Sequence, residues 1–299
     1  MTSVSLFQFS LCFKSPEAPR LCGVFVCMFF WLFFSILLPH LLHATNTVKL
    51  QASLSSELNA AAQIKTSFGN YSIEAPDHFK KNPGQSERIR IVKDKEIKSA
   101  FEFLLHRDLD GDRDKTWPIG KERQRNEIKG YQGSVDALKG YEGQTHQIKW
   151  HLKIEETFKV TKEFCHFFQL KAVGTRNVDA PILTLSGVVR KGTQQLQLQC
   201  WKGNKSEKHF LADWEACLGK WLQCTVQCQY GKMGSYKFSV NSLDGSIEKE
   251  INQKDFPSWR EGFEFVRPKW GIYRSLATVK NQLNPVDSVY LNHFSILKR

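Results

Sequence analysis

Phe164-Cys165-His166-Phe167-Phe168-Gln169-Leu170-Lys171 is the stretch on which the reading of the fold turns. Side chains alternate across a strand with a period of two, so one face carries Phe164, His166, Phe168 and Leu170. The other carries Cys165, Phe167, Gln169 and Lys171. The first set reads as core, which makes His166 a hydrogen-bonded core residue. The second sends Gln169 and Lys171 out together, as on the concave sheet of a jelly roll. Outward from this run, strands are predicted at 147–160, 164–173, 182–190, 196–201, 221–230, 236–240, 266–274 and 289–297. Gly, Asn and Asp punctuate them, and neither a long helical pattern nor a fixed-period repeat intervenes. Many short strands with turn residues between them imply an all-β fold, a β-jelly-roll sandwich of two antiparallel sheets with a concave substrate cleft, over residues 87–299.

Ahead of that domain the sequence changes character twice. Residues 45–86 read as a poorly structured lead-in, with a short helix at 54–62 and a loop signature in Lys80-Lys81-Asn82-Pro83-Gly84. Residues 1–44 hold Lys14 and Arg20, then an almost wholly apolar run at 21–38, with Ala44 beyond it. A basic flank, an apolar segment and a small residue form a secretory signal. The same run sits at the lower length limit of a spanning helix, so a retained membrane anchor is the alternative. Either reading places the remainder outside the cell, as a secreted or extracellular protein, with a membrane partner only if the segment is retained.

Charge narrows the partner. The chain carries a formal net charge of +12, and removing residues 1–44 takes two basic residues and one acidic residue away, leaving +11. A domain this basic favours polyanions, and export selects an acidic polysaccharide over nucleic acid. The sequons Asn70-Tyr71-Ser72 and Asn204-Lys205-Ser206 would lie on surface loops if modified. Of eight cysteines, Cys12, Cys22 and Cys27 belong to the leader, leaving Cys165, Cys200, Cys217, Cys224 and Cys228. An odd number implies at least one unpaired thiol or an intermolecular bridge. The spacing carries no clean metal pattern, and a monomer needing no cofactor is expected.

Three runs carry candidate chemistry. In Arg123-Gln124-Arg125-Asn126-Glu127-Ile128-Lys129, alternation groups Arg123, Arg125, Glu127 and Lys129 against Gln124, Asn126 and Ile128. The first group is either a solvated charged strand or a carboxylate-recognition face, since a guanidinium grips a carboxylate bidentately. Lys269-Trp270-Gly271-Ile272-Tyr273-Arg274 places Lys269, Gly271 and Tyr273 on one side, with Gly271 leaving room for a ligand. His106 closes a strand-like run, followed by Asp108-Leu109-Asp110-Gly111-Asp112-Arg113-Asp114. Alternating aspartates also suggest oxygen ligands for calcium, but Gly111 is displaced for an EF-hand loop and no Glu closes it. The run reads as a hydrated acidic turn, and no metal site is assigned.

These runs, with Leu138-Lys139-Gly140 and Phe168-Gln169-Leu170-Lys171-Ala172-Val173-Gly174, resemble the glucuronan lyase family of polysaccharide lyases. The run at Tyr273 also resembles the strand that supplies a catalytic tyrosine in heparin-lyase-like and alginate-lyase-like jelly rolls. The resemblance implies a lyase that cleaves a uronic-acid-containing, glucuronan-like polysaccharide by β-elimination. It implies Arg125 and Gln169 for neutralising the substrate carboxylate, His106 as base and Tyr273 as acid. Arg123, Asn126, Lys171 and Lys269 would bind substrate. Lys171 stands where the alginate-lyase-like pattern has a histidine, so His151, beside Lys149 and Lys153, is a second candidate base and otherwise a substrate ligand. The alternative function is a catalytically silent carbohydrate-binding jelly roll for acidic glycans. A hydrolase would need two opposed carboxyls, which the adjacent Glu155 and Glu156 do not form.

Overall fold

A computed structural model describes residues 46–79, 86–112, 122–203, 205–277 and 279–299. The apolar leader at 21–38 and the acceptor Asn204 lie outside the described residues. Among the described residues no helix is long and apolar enough to cross a membrane.

The domain begins with β1 (Thr47–Leu50), α1 (Ala60–Phe68), β2 (Ile73–Glu74), β3 (Ile89–Asp94) and β4 (Lys98–His106). It continues through β5 (Arg123–Lys129), β6 (Thr145–Ile154), β7 (Cys165–Gly174), β8 (Leu183–Arg190), β9 (Thr193–Lys202) and β10 (Lys205–Asp213). It ends with α2 (Trp214–Cys217), β11 (Trp221–Gln229), β12 (Gly234–Ser242), β13 (Glu248–Phe256), β14 (Phe263–Ser275) and β15 (Val286–Lys298). The first sheet runs β13-β12-β11-β6-β15-β4-β3, with β1 added on β15. The second runs β10-β9-β8-β7-β14-β5-β2, and the pairings within both are antiparallel. This is the β-sandwich of a jelly roll.

Alternation drives the two layers together. Ile148, Trp150, Leu152 and Ile154 line the inner face of β6, and Trp270 and Ile272 that of β14. Trp150 stacks on Phe168 with ring centroids 4.4 Å apart, which places an aromatic contact between the sheets.

Residues 46–79 correct the expectation of a loose lead-in over 45–86, whose Lys80-Lys81-Asn82-Pro83-Gly84 loop lies outside the described residues. β1 pairs with β15, and α1 buries Ala60, Ile64 and Phe68, a spacing of four that lines one helical face. The Asn59 side chain caps the helix by accepting from the Ala62 backbone N–H at 2.9 Å. Phe68 lies 5.7 Å from Trp270, so the segment completes the core rather than preceding it. The helix itself falls later in the chain than the predicted 54–62.

Candidate active site

β7, β14, β5 and β8 are neighbours in the second sheet, and their outward faces form two rows of polar residues. Arg125, Tyr273, His166 and Ser186 stand directly opposite one another across four strands. Lys129, Lys269, Gln169 and Thr184 form the parallel row.

His166 enters this row because β7 is bulged. His166 pairs with Ser186 and Phe168 with Leu185, so Phe167 is an extra residue that breaks the alternation. Cys165 and Phe167 point to the core on one side of the bulge, and Phe168, Leu170 and Ala172 do so beyond it. His166, Gln169 and Lys171 therefore share the outward face. The expectation that His166 packs in the core is corrected: it is buried and hydrogen-bonded, but on the face with Tyr273.

Gly271 occupies the matching irregularity in β14, with φ +135°, and a Cβ there would come 2.1 Å from the Asn126 carbonyl oxygen. The glycine thus serves close approach of β5 rather than a gap for ligand.

Around Tyr273 the geometry is specific. The Arg123 Nη1 donates to the Tyr273 hydroxyl oxygen at 2.6 Å. The Arg125 guanidinium lies 3.7 Å from the centroid of the Tyr273 ring. His166 lies on the other side, 6.1 Å between centroids, and Phe164 stacks on His166 at 4.7 Å. His166 Nδ1 meets Ser186 Oγ at 2.7 Å, and that hydroxyl donates onward to Thr184 Oγ1 at 3.2 Å. With the serine hydrogen committed to Thr184, the imidazole N–H sits on Nδ1 and the Nε2 lone pair is left to accept a proton. Burial pushes the His166 pKa down to about 3, with Glu127 opposing and Lys171, Arg125 and Lys269 adding to the drop. The ring is neutral at neutral pH.

Beneath this row runs an ionic network with little exposure to water. Arg125 pairs with Asp112 through Nε at 2.8 Å and with Glu127 through Nη1 at 2.5 Å. Lys269 reaches Glu127 at 2.6 Å and Glu74 at 2.7 Å, while Lys129 reaches Glu74 at 2.6 Å. Gln169 Nε2 donates to the other Glu127 oxygen at 2.6 Å. Burial raises the Glu127 pKa, but Lys269 and Arg125 outweigh it and hold the carboxyl below its ordinary value. The same contest, with Lys269, Arg125 and Lys129 winning, holds Glu74 well below. Both glutamates are therefore charged, as a buried cation cluster requires.

Two expected roles change as a result. Arg125 and Lys269 are already gripped by carboxylates, so they position their neighbours instead of clamping a substrate. Lys171 is different: it is half-buried on the outward face, and its Nζ donates to the Asp179 carbonyl at 3.2 Å. Burial, then repulsion from Lys269 and Arg125, lowers its pKa to about 8.

Other assigned residues lie elsewhere. Asn126 turns inward, donating to the Arg88 and Leu104 carbonyls at 2.7 and 2.9 Å, because alternation places it opposite Arg125. It ties β5 to the first sheet and is closed to substrate. On β4, Phe101, Phe103 and Leu105 fill the core, so His106 belongs to the opposite face of the first sheet. His106 contributes backbone: its N–H donates to Asp110 and its carbonyl accepts from Gln124. His151 alternates with the core residues Trp150 and Leu152, so it too faces away from the second sheet. Its ring lies 4.7 Å from His293. Neither proposed base stands beside Tyr273. Within the aspartate run, Asp110 pairs with Arg88 and Asp112 with Arg125, so these two are buried rather than hydrated, whereas Asp108 is exposed and Arg113 and Asp114 lie outside the described residues. The five described cysteines are all reduced and buried.

Sequence reading missed Glu74 altogether, and did not place His166 or Asp112 at the site. The adjacent Phe167-Phe168, apolar in both phases, was the available signal for the bulge. At the Arg123 end of the face a depression of about 230 Å³ opens between Arg107, Glu122, Arg123, Leu276 and Lys280.

No family model and no curated protein sequence matches this chain. Solved structures do align with it. The endo-β-1,4-glucuronan lyase of the fungus Trichoderma reesei does so at 12% identity and TM-score 0.45, over 75% of this chain and 93% of that one. The alginate lyase of Klebsiella pneumoniae aligns at 10% identity and TM-score 0.49, over 71% and 85%. An alginate lyase of Pseudomonas aeruginosa aligns at 13% identity and TM-score 0.46, over 72% and 87%. The reaction itself has to be argued from the residues.

Proposed function

We propose that this protein is a polysaccharide lyase that cleaves a uronic-acid chain, glucuronan-like in charge, by β-elimination. The observation that carries the reading is the Tyr273 hydroxyl, which accepts from Arg123 while its ring lies between Arg125 and the neutral imidazole of His166. A phenol that accepts from a cation keeps its own hydrogen to donate elsewhere. His166 keeps a lone pair at Nε2.

A C-5 proton is not acidic until the charge developing on the adjacent carboxylate is stabilised, so fixed donors are the largest requirement. Lys171 and the second amide hydrogen of Gln169 meet it, the amide held in place by Glu127. His166 takes the C-5 proton at Nε2. The C–H electrons form the C-4 to C-5 double bond, the C-4 to oxygen bond breaks, and Tyr273 protonates the leaving oxygen. A bound uronate adds negative charge beside His166, which strengthens it as a base in this desolvated place.

The reading extends to setting. The basic domain and the apolar leader support an extracellular protein that meets acidic glycan, and the proposed steps use the chain's own side chains. Incubation with polyglucuronate, alginate and a neutral glucan tests it, followed by ultraviolet absorbance of the new double bond. Absorbance rising with either uronan and not with the glucan supports the lyase. Reducing ends without absorbance make it a hydrolase, and tight binding with neither product makes it a binding protein.

A further inference from the structure

A second cluster of reactive side chains lies at the opposite end of the second sheet, separated from Tyr273 by β7, β8 and part of β9. Cys200 on β9 stands directly opposite Glu207 on the edge strand β10, and His209 follows two residues later on the same face. Cys200 Sγ lies 3.7 Å from His209 Nε2. Tyr236, from β12 of the other sheet, brings its hydroxyl to 3.3 Å from both atoms. Ligand atoms of Cys200, Glu207 and His209 all fall within 4.8 Å of one another.

We propose that Cys200, Glu207 and His209 bind a zinc ion, with the Tyr236 hydroxyl or a water in the fourth position. Zinc takes sulfur at about 2.3 Å and imidazole nitrogen at about 2.0–2.1 Å, so tetrahedral ligands sit about 3.6 Å apart. The observed 3.7 Å between Sγ and Nε2 already matches that spacing. A thiolate with an imidazole and one carboxylate selects a borderline or soft divalent ion over calcium or magnesium, which take oxygen ligands.

The cluster is also reachable. Cys200 is buried, His209 half-buried and Glu207 exposed, so an ion can enter along the solvent side of β10. Glu207 now pairs with Lys202 at 2.9 Å, an exposed contact of the kind that contributes little and exchanges easily. On binding, the Cys200 S–H bond breaks, a sulfur–zinc bond forms and the proton leaves to solvent. The ion would fasten the charged edge strand β10 to β9 and, through Tyr236, to the first sheet.

The test uses the full chain, stripped with chelator and titrated with cobalt(II) as an optical stand-in and then with zinc. One cobalt per chain with a near-ultraviolet thiolate charge-transfer band is expected, displaced by zinc. Zinc alone should raise the melting temperature in proportion to the logarithm of its free concentration. Cys200→Ser should abolish the band. His209→Gln, at a half-exposed position that leaves folding intact, should weaken affinity by at least about 100-fold, since loss even of an outer partner costs about 10–100-fold. Absence of the band in folded wild-type protein overturns the proposal. So does cobalt binding that neither substitution changes.

Discussion

Replacing Glu127 by Gln removes one charge from the middle of the network beneath the site. Glu127 is buried and accepts from Arg125, Lys269 and Gln169, so the substitution leaves two cations under-compensated. Removing one partner of a buried ion pair costs about 3–5 kcal/mol. Arg125 keeps Asp112 and Lys269 keeps Glu74, which sets the loss at the lower end, about 3 kcal/mol. For a domain of this size each kcal/mol lowers the melting temperature by about 2–4 °C, so a fall of about 6–12 °C is expected. Thermal melting and urea titration of wild type and variant measure it. The double variant Glu127→Gln, Lys269→Met should recover part of the loss, because one of the two stranded charges is gone. A loss below about 1 kcal/mol would refute the reasoning, since that is the worth of an exposed, solvated pair.

Four further outcomes follow from the same geometry. Lys171 carries its charge only below about pH 8, so uronan affinity should fall as pH rises through that value. Lys171→Arg should hold affinity to higher pH, as measured by calorimetry with Tyr273→Phe protein to prevent turnover. His146 and His166 are both buried neutral, with pKa values lowered to about 3 chiefly by burial. The unfolded chain binds their protons from about pH 6.5 downward. Stability contributed by their neutrality is therefore lost as pH falls from about 6.5 toward 3, by about 1.4 kcal/mol per pH unit for each, and urea midpoints at successive pH values read it. His166→Ala should reduce turnover by about 100- to 10,000-fold, the usual worth of a general acid or base. His106→Ala and His151→Ala should leave turnover near wild type, because both rings face away from the second sheet.

Strands with a buried face were legible in the sequence, and the reason is physical. β6, β11 and β15 alternate apolar and polar residues because one side meets the opposite sheet. β10 and β13 escaped notice because they are edge strands, Lys-Ser-Glu-Lys-His and Glu-Lys-Glu-Ile-Asn in their opening residues, with mostly exposed side chains. Charge on an edge blocks pairing with another chain and erases the apolar period. The site was legible where strands stay regular: Arg123, Arg125, Lys269 and Tyr273 share the face that alternation assigned. It failed at the Phe167 bulge, where one added residue moved His166 to the other face. Glu74 was beyond sequence reading, since its partners Lys129 and Lys269 are distant in the chain and no periodicity marks it; Asp112 stood among the alternating aspartates, but nothing marked Arg125 as its partner.

The most direct test of the central claim is Tyr273→Phe against wild type on a uronan that the wild type cleaves. The ring, its packing on Phe164 and the Arg125 contact all survive, and only the hydroxyl that meets Arg123 is lost. Formation of the unsaturated product, followed by ultraviolet absorbance, should drop by about 100- to 10,000-fold with glycan affinity retained. A folded Tyr273→Phe protein that forms the unsaturated product at the wild-type rate would contradict the account.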